Sequence, residues 1–476
     1  MRGVNVGRSA TLGLLACAVG LVAALIFLPH LNAGLVSDTF YHLEAAKHAS
    51  FSSLLAQYVP GANRWYRPTT YVVYWLEYRL FGLRPLGYHV IAFLCHVISS
   101  ILIVLLSRRM TGNLGAGLVA GIAFLFSVHT HEVLFDVADL HHSLGAVALL
   151  GCVLAYAAGN RAVSVLLAVG SVTSYEAGIL SLPLVGLYEL TFRIRMVDRH
   201  AIRASAWRLA PFVVLSGAYM AARRLMAGPL KYEVVPCWTV KCLAVAVLEY
   251  VNRLFVRPDA LRAAMPSHRP ALAIASLTAV SVLLVLLGSW RWRRWRAILF
   301  GAGWLVGTTL FYILALFPYV SDRFVYLPDT GLALCVGAIA AETWRSWPAA
   351  RGATRIAMAV AAGALMVWLA TGALMLSARG ASWDGAGTRD QEIIESLVAL
   401  IPSPPPSATF VFRAIPDSDS PKIPPGNTGP YLFRNGLGSA VRLRYGRSDL
   451  VVKRGEDGGT GTIALTIEGN RVRLAE

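Results

Sequence analysis

Apolar residues fall along this chain in long runs separated by short polar segments rich in arginine. A helix needs roughly 20 mostly apolar residues to cross about 30 Å of hydrocarbon. The runs 10–28, 86–106, 114–130, 140–158, 208–225, 271–288, 297–317, 327–343 and 356–376 meet or approach that length. Residues 162–192 are apolar apart from Ser174-Tyr175-Glu176, which predicts two short helices meeting at a polar turn. Together these runs predict eleven crossings. The stretch 239–256 carries Lys241, Glu249 and Arg253, which hydrocarbon disfavours, so it reads as an interfacial or re-entrant helix.

Two segments break the pattern. Residues 29–85 predict a long first outer loop with amphipathic stretches near 39–58 and 68–82. After residue 376, Gly, Pro and charge rise and no further crossing follows. Residues 389–401 read as an amphipathic helix through Ile393, Ile394, Leu397, Val398 and Ile401, ended by prolines at 404–406. Alternation in 440–445 and 462–467 predicts strands. The expectation is an all-α polytopic membrane domain over 1–376 and a small extracytoplasmic α+β domain over 377–476.

Composition agrees. Of 476 residues, 56% are hydrophobic and only 14% charged, and the mean hydropathy is +0.58. Soluble chains carry about a quarter charged residues, so a cytosolic enzyme, a disordered chain and a small disulfide scaffold are excluded. The net charge of +17 invites a nucleic-acid reading, but the arginines lie between apolar runs, where they set membrane orientation. Arg2 and Arg8, Arg108-Arg109, Arg161, Arg193 to Arg208, Arg291 to Arg296 and Arg345 to Arg355 share one side if the N-terminus is cytoplasmic and the C-terminus outside. The Trp-Arg alternation at 290–296 reads as an interfacial belt. Leu14-Leu15-Ala16-Cys17 is like a lipoprotein cleavage site, but the apolar run continues eleven residues further, which predicts an uncleaved first helix.

The centres of 114–128, 143–158, 271–288 and 298–316 hold no Asp, Glu, Lys or Arg, which argues against an ion-coupled transporter. Ionisable residues collect instead at the outer helix ends: Asp38, Arg64, Arg67, His129, His131, Glu132, Asp136, Asp139, His141, His142, Glu176, Asp322 and Arg323. The His129–His142 cluster invites a metal reading, but its spacing fits no closed ligand motif, and the favoured expectation is a solvated turn between two spans. A divalent cation is neither required nor excluded, and no other cofactor follows.

The block Trp65-Tyr66-Arg67-Pro68-Thr69-Thr70, then Leu80-Phe81-Gly82-Leu83-Arg84-Pro85-Leu86-Gly87-Tyr88-His89 and His96, resembles one shared by GT-C membrane glycosyltransferases. The group it is most similar to is the transmembrane O-mannosyltransferases that carry tetratricopeptide repeats, with their bacterial relatives. Ser174-Tyr175-Glu176-Ala177-Gly178-Ile179 is similar to that family's Ser-Lys-Glu-x-Gly-Ile block, with Tyr175 in place of Lys. Asp322-Arg323-Phe324-Val325-Tyr326-Leu327-Pro328 is similar to its Glu/Asp-Arg-x-x-Tyr-Leu-Pro signature. The chain departs in keeping one acidic residue in Ser37-Asp38 where the family has two. It also departs in its His-Glu block and in lacking the repeat tail.

The resemblance implies a polyprenyl-phosphate sugar as donor, membrane lipid as surroundings and a site on the outer face; the Ala-, Arg- and Gly-rich composition and the missing repeat tail point to a bacterial plasma membrane. Asp38 matches the family's catalytic position and reads as the general base of a single inverting displacement. A phosphate leaving group calls for a guanidinium, for which Arg323 is the first and Arg67 the second choice, and no nucleic-acid partner is expected. His129, His131, Glu132, Asp139, His142, Glu176, Tyr66 and Tyr326 are the further candidate substrate contacts. Duller roles stand beside these: Asp38 as a helix cap, Arg323 as a partner of Asp322, Glu176 as filler of the break between half-spans, and Arg442, Arg444 and Arg447 on the solvated face of a strand. The rival functions are a carrier or flippase for polyprenyl-linked glycans and a silent scaffold presenting residues 377–476. The acceptor is open.

Overall fold

A computed structural model describes residues 20–59, 66–194, 199–226, 239–251, 253–254, 295–316, 321–413, 415, 430–455 and 462–475. The run 271–288, the Trp-Arg belt through residue 294 and most of the first apolar run lie outside the described residues.

The chain opens with α1 (Gly20–His30). Then follow α2 (Thr39–His48), α3 (Phe51–Ala56), α4 (Pro68–Phe81), α5 (Pro85–Thr111), α6 (Leu114–Leu125), α7 (His131–Phe135) and α8 (Leu140–Ala157). Next come α9 (Arg161–Ser174), α10 (Ser181–Tyr188), α11 (Arg199–Met226), α12 (Val240–Val251), α13 (Trp295–Leu316), α14 (Tyr326–Ser346) and α15 (Gly352–Leu400). The end holds β1 (Thr409–Phe412), α16 (Leu437–Tyr445), β2 (Val451–Arg454), β3 (Thr462–Glu468) and β4 (Arg471–Leu474). Their sheet runs β2-β1-β3-β4, with β1 parallel to β2 and β3, and β3 antiparallel to β4.

Among the described residues five helices are long and apolar enough to cross a membrane, or six if α6 and the 128–135 segment count as one span bent by 52°. The chain is thus a multi-pass membrane protein. The count of eleven crossings is not reproduced among the described residues. The bend interrupts the run expected to cross as 114–130: α6 ends at Leu125, and the chain continues at 52° into the buried, polar 128–135 segment. The break at 175–180 follows the expected form, with α9 and α10 flanking a short turn of 3₁₀ helix over Glu176–Leu180.

The helices pack as α5 on α6 and α8, α8 on α9, and α14 on both α6 and α13. Helix α15 runs without a break through residue 376 and continues over the 389–401 segment. Its backbone touches the α1–α2 connection at Gly34 and Gly387. A Cβ on Gly34 would lie 2.6 Å from the Gly387 carbonyl carbon, so neither position has room for a side chain. The sheet shares one core with the helices, in which Phe27, Leu125 and Phe135 join Trp383, Phe410, Phe433 and Leu465.

The strand expected at 440–445 is a helix. Leu437, Ala440, Val441 and Leu443 are buried at helical spacing, and Gly446 ends α16 in the left-handed region at φ 68°. Arg442 is accordingly half-buried and clamps Glu44 of α2, with Nε–Oε1 at 2.5 Å and a terminal nitrogen 2.7 Å from Oε2.

Candidate active site

The expectation of a solvated turn at 129–142 is overturned. His129, His131, Glu132, Asp136, Asp139, His141 and His142 are all buried. A buried charge is stable only when paired and hydrogen-bonded, and the partners come from distant parts of the chain.

The Trp383 indole of α15 donates to His131 Nδ1 at 3.0 Å. That assigns the ring proton to Nε2, which donates to Asp322 Oδ2 at 2.9 Å. The other Asp322 oxygen accepts from Arg253. The charge that made 239–256 expensive as a span is therefore neutralised inside the protein. Glu132 accepts the Arg323 backbone N–H at 3.1 Å, the Ser321 hydroxyl, and the Tyr431 hydroxyl at 3.3 Å. These bonds fix the 3₁₀ turn Asp322–Val325 and so aim Arg323. His129 is buried in the same cluster and acts on Asp322 electrostatically.

Arg323 does not pair with Asp322. One terminal nitrogen reaches both Asp139 oxygens at 3.4 Å, longer than the roughly 2.7–2.9 Å of a strong charge-assisted bond. Arg67 differs: its Nε lies 2.9 and 3.0 Å from the two Glu176 oxygens and a terminal nitrogen lies 2.8 Å from one. Burial opposes the Arg67 charge, but the Glu176 carboxylate holds its pKa above the usual value. Thr70 donates to the Ser174 carbonyl at 2.9 Å, and the Tyr175 ring lies under Arg67 at 5.2 Å. The two sequence blocks around Arg67 and Glu176 are thus one clamp between α4 and the 175–180 break.

Asp38 stands at the start of α2 but does not cap it with its side chain. Its Oδ1 accepts from Asn435 Nδ2 at 3.1 Å and from the Asn435 backbone N–H at 3.3 Å. Thr39 donates to Asp136 Oδ1 at 3.3 Å. Asp38, Asp139 and Arg323 all act electrostatically on Asp136. His141 in turn lies in the fields of Arg67, His142, Arg323 and His42. Asp38, Arg67, Arg323, Asp139, Glu176 and His142 are therefore gathered around one charged cluster.

Two expected residues stand apart. Tyr326 is fully buried against Phe124, and its hydroxyl donates to His96 Nδ1 at 3.0 Å, because the His96 Nε2 proton goes to the Leu125 carbonyl. Tyr66 donates to the Tyr58 carbonyl at 3.1 Å, on the rim. Missed residues are Arg253, Trp383, Tyr431, Asn435 and His42. His42 stacks on Tyr74 at 4.8 Å and lies between the fields of Asp38 and Arg67. Burial, only partly countered by Asp38, lowers its pKa to about 4, so it is neutral at pH 7. Its position four residues after Asp38, on the same helix face, was a legible signal.

Asp139, His141 and His142 bring one ligand atom each within 4.8 Å of one another. Ala138 O lies 3.1 Å from His141 Nδ1, which places the proton there and leaves Nε2 as a lone-pair donor. Yet Arg323 already contacts Asp139, and both histidines lie in the fields of Arg67 and Arg323. A cation there would meet the Asp139 carboxylate and the two histidines, but also the charges of Arg67 and Arg323.

No protein-family model matches the chain. A protein O-mannosyl-transferase of Caenorhabditis elegans is 27% identical over 130 residues, 26% of this chain, and the match spans 19% of that protein's length. The crystal structure of ArnT from Cupriavidus metallidurans in the apo state superposes with a TM-score of 0.51 at 11% identity, covering 94% of this chain and 86% of that one. ArnT bound to undecaprenyl phosphate gives a TM-score of 0.49 at 14% identity over 93% and 86%.

Proposed function

We propose that this chain, a membrane protein of GT-C-like fold, is a glycosyltransferase that moves a sugar from a polyprenyl-phosphate donor to an acceptor hydroxyl at the outer face of a bacterial inner membrane. The observation that carries the reading is that Asp38 and Arg323 meet at one buried acidic cluster: Thr39, next to Asp38, donates to Asp136, and Arg323 contacts Asp139. A polyprenyl donor cannot leave the bilayer, so its phosphate must be met by a cation held beside the membrane.

In this reading the acceptor oxygen attacks the anomeric carbon as Asp38 takes its proton. The bond from that carbon to the phosphate oxygen breaks, its electron pair leaves with polyprenyl phosphate, and Arg323 stabilises the added charge. One base and a single displacement give inversion. Arg323 suits the role because Asp139 holds it by one terminal nitrogen at long range. Arg67, clamped by Glu176, shapes the field and the fold of the pocket rather than serving as the main ligand.

The test is transfer from labelled polyprenyl-phosphate sugars by reconstituted protein. Asp38→Asn is expected to lower turnover by roughly 10²–10⁴ and Arg323→Ala by roughly 10²–10³. Equal turnover in wild type and both variants would remove the assignment.

A further inference from the structure

The C-terminal segment 431–436 touches the start of α2 and the buried cluster at the same time. Ser37 has φ +58°, a left-handed conformation that a serine keeps only when its surroundings hold it. Here the Ser37 N–H donates to the Leu432 carbonyl at 2.7 Å. Gly436 lies beneath the Ser37 carbonyl so closely that a Cβ would stand 2.0 Å from its oxygen. Asn435 gives both its backbone and side-chain N–H groups to Asp38 Oδ1. One residue earlier, Arg434 lies over the Tyr431 ring at 4.2 Å, and the Tyr431 hydroxyl donates to Glu132, the carboxylate that fixes the Arg323 turn. The Arg442–Glu44 ion pair fastens α16 to α2 on the far side.

We infer that residues 431–436 are a wall of the active site, and that Asn435 is the positioning residue that aims the Asp38 carboxylate at the acceptor hydroxyl. This rests on the reading of Asp38 as the base. Two donors on Oδ1 stop the carboxylate from rotating and leave Oδ2 to accept the proton. The small C-terminal domain then belongs to the catalytic machinery: it holds the base through Asn435 and the phosphate-binding turn through Tyr431 and Glu132. A misplacement of about 1 Å in such a group costs about 10²-fold in rate.

The experiment compares wild type, Asp38→Asn, Asn435→Ala, Gly436→Ala and Arg447→Ala in full-length reconstituted protein, measuring sugar transfer and amide hydrogen exchange over residues 37–43. Asn435→Ala is expected to lower kcat about 10- to 100-fold with KM unchanged, less than Asp38→Asn because the backbone donor remains, and to speed exchange at 37–43. Asn435→Ser is expected to restore part of the loss. Gly436→Ala should lose more, and if it does not fold, Asn435→Ala carries the test. Arg447→Ala, on the domain's outer surface, should keep wild-type kcat. If Asp38→Asn is silent while Asn435→Ala keeps full kcat, this inference falls and the reading of Asp38 stands. If Asp38→Asn also turns over normally, both fall. Should the wild type transfer none of the sugars offered, unchanged exchange at 37–43 in Asn435→Ala overturns the inference by itself.

Discussion

Asp322 shows why charge in this protein has to be judged by its partners. It is buried against Arg253 and His131, and a buried pair is most fragile when one member is removed. Arg253→Ala should therefore cost about 3–5 kcal/mol, while Arg253→Met with Asp322→Leu should cost less than the two single replacements added together, because the stranded charge is removed with its partner. Thermal unfolding in detergent compares the two. Glu77 is the opposite case. It is buried among Tyr74, Tyr88 and Cys95, and both its oxygens lack a hydrogen-bond partner. Burial lifts its pKa from 4.5 to about 8. Between those values the folded protein keeps a proton that the unfolded chain has lost, so stability falls as pH rises through that window, by at most about 1.4 kcal/mol per pH unit. Glu77→Gln should remove this contribution, flatten the slope of melting temperature between pH 5 and 8, and raise the value at pH 8. An unchanged slope contradicts the account. Neither partner set was visible in the linear chain: Glu77 reads as the polar side of an amphipathic stretch, and Arg253 meets Asp322 across 69 positions.

Elements were legible where one period ran long enough. Among the described residues the long runs 86–106, 140–158, 297–317, 327–343 and 356–376 form helices, and the polar interruption at 174–176 falls at the break between α9 and α10. Short signals misled. Six residues of alternation at 440–445 fit a strand or one face of a helix, and burial of Leu437 on the helical period decided for the helix. Helix α15 was divided in sequence between a crossing and an amphipathic helix because polarity changes midway, whereas its backbone hydrogen bonding does not. Its contact with the α1–α2 connection at Gly34 and Gly387 leads to a prediction. Gly387→Val should separate α15 from that connection, lower the melting temperature and weaken the Trp383–His131 bond. Gly385→Val, two residues away with open space around it, should be far milder.

At the scale of the molecule, the charged cluster lies at the helix ends that carry Asp38, Arg67, the 129–142 segment, Glu176 and Arg323. The arginine-bearing turns after α5 and α8 lie at the other helix ends. With arginine on the cytoplasmic side, a reporter inserted at Gly159-Asn160 should read as cytoplasmic and one fused after Glu476 as extracytoplasmic; the reverse would move the site to the inner face. The membrane architecture, the family resemblance and the identity of Asp38 and Arg323 as candidates were all legible in the sequence. The supporting shell was not, since Trp383, Tyr431 and Asn435 reach His131, Glu132 and Asp38 across 252 to 397 positions with no local pattern to announce them. The most direct test is a cryo-electron microscopy map of the protein reconstituted with polyprenyl phosphate. The account predicts phosphate density within hydrogen-bond distance of Arg323, with its free oxygen facing the Asp38 side of the pocket. Phosphate density elsewhere, with Arg323 still turned to Asp139, would contradict it.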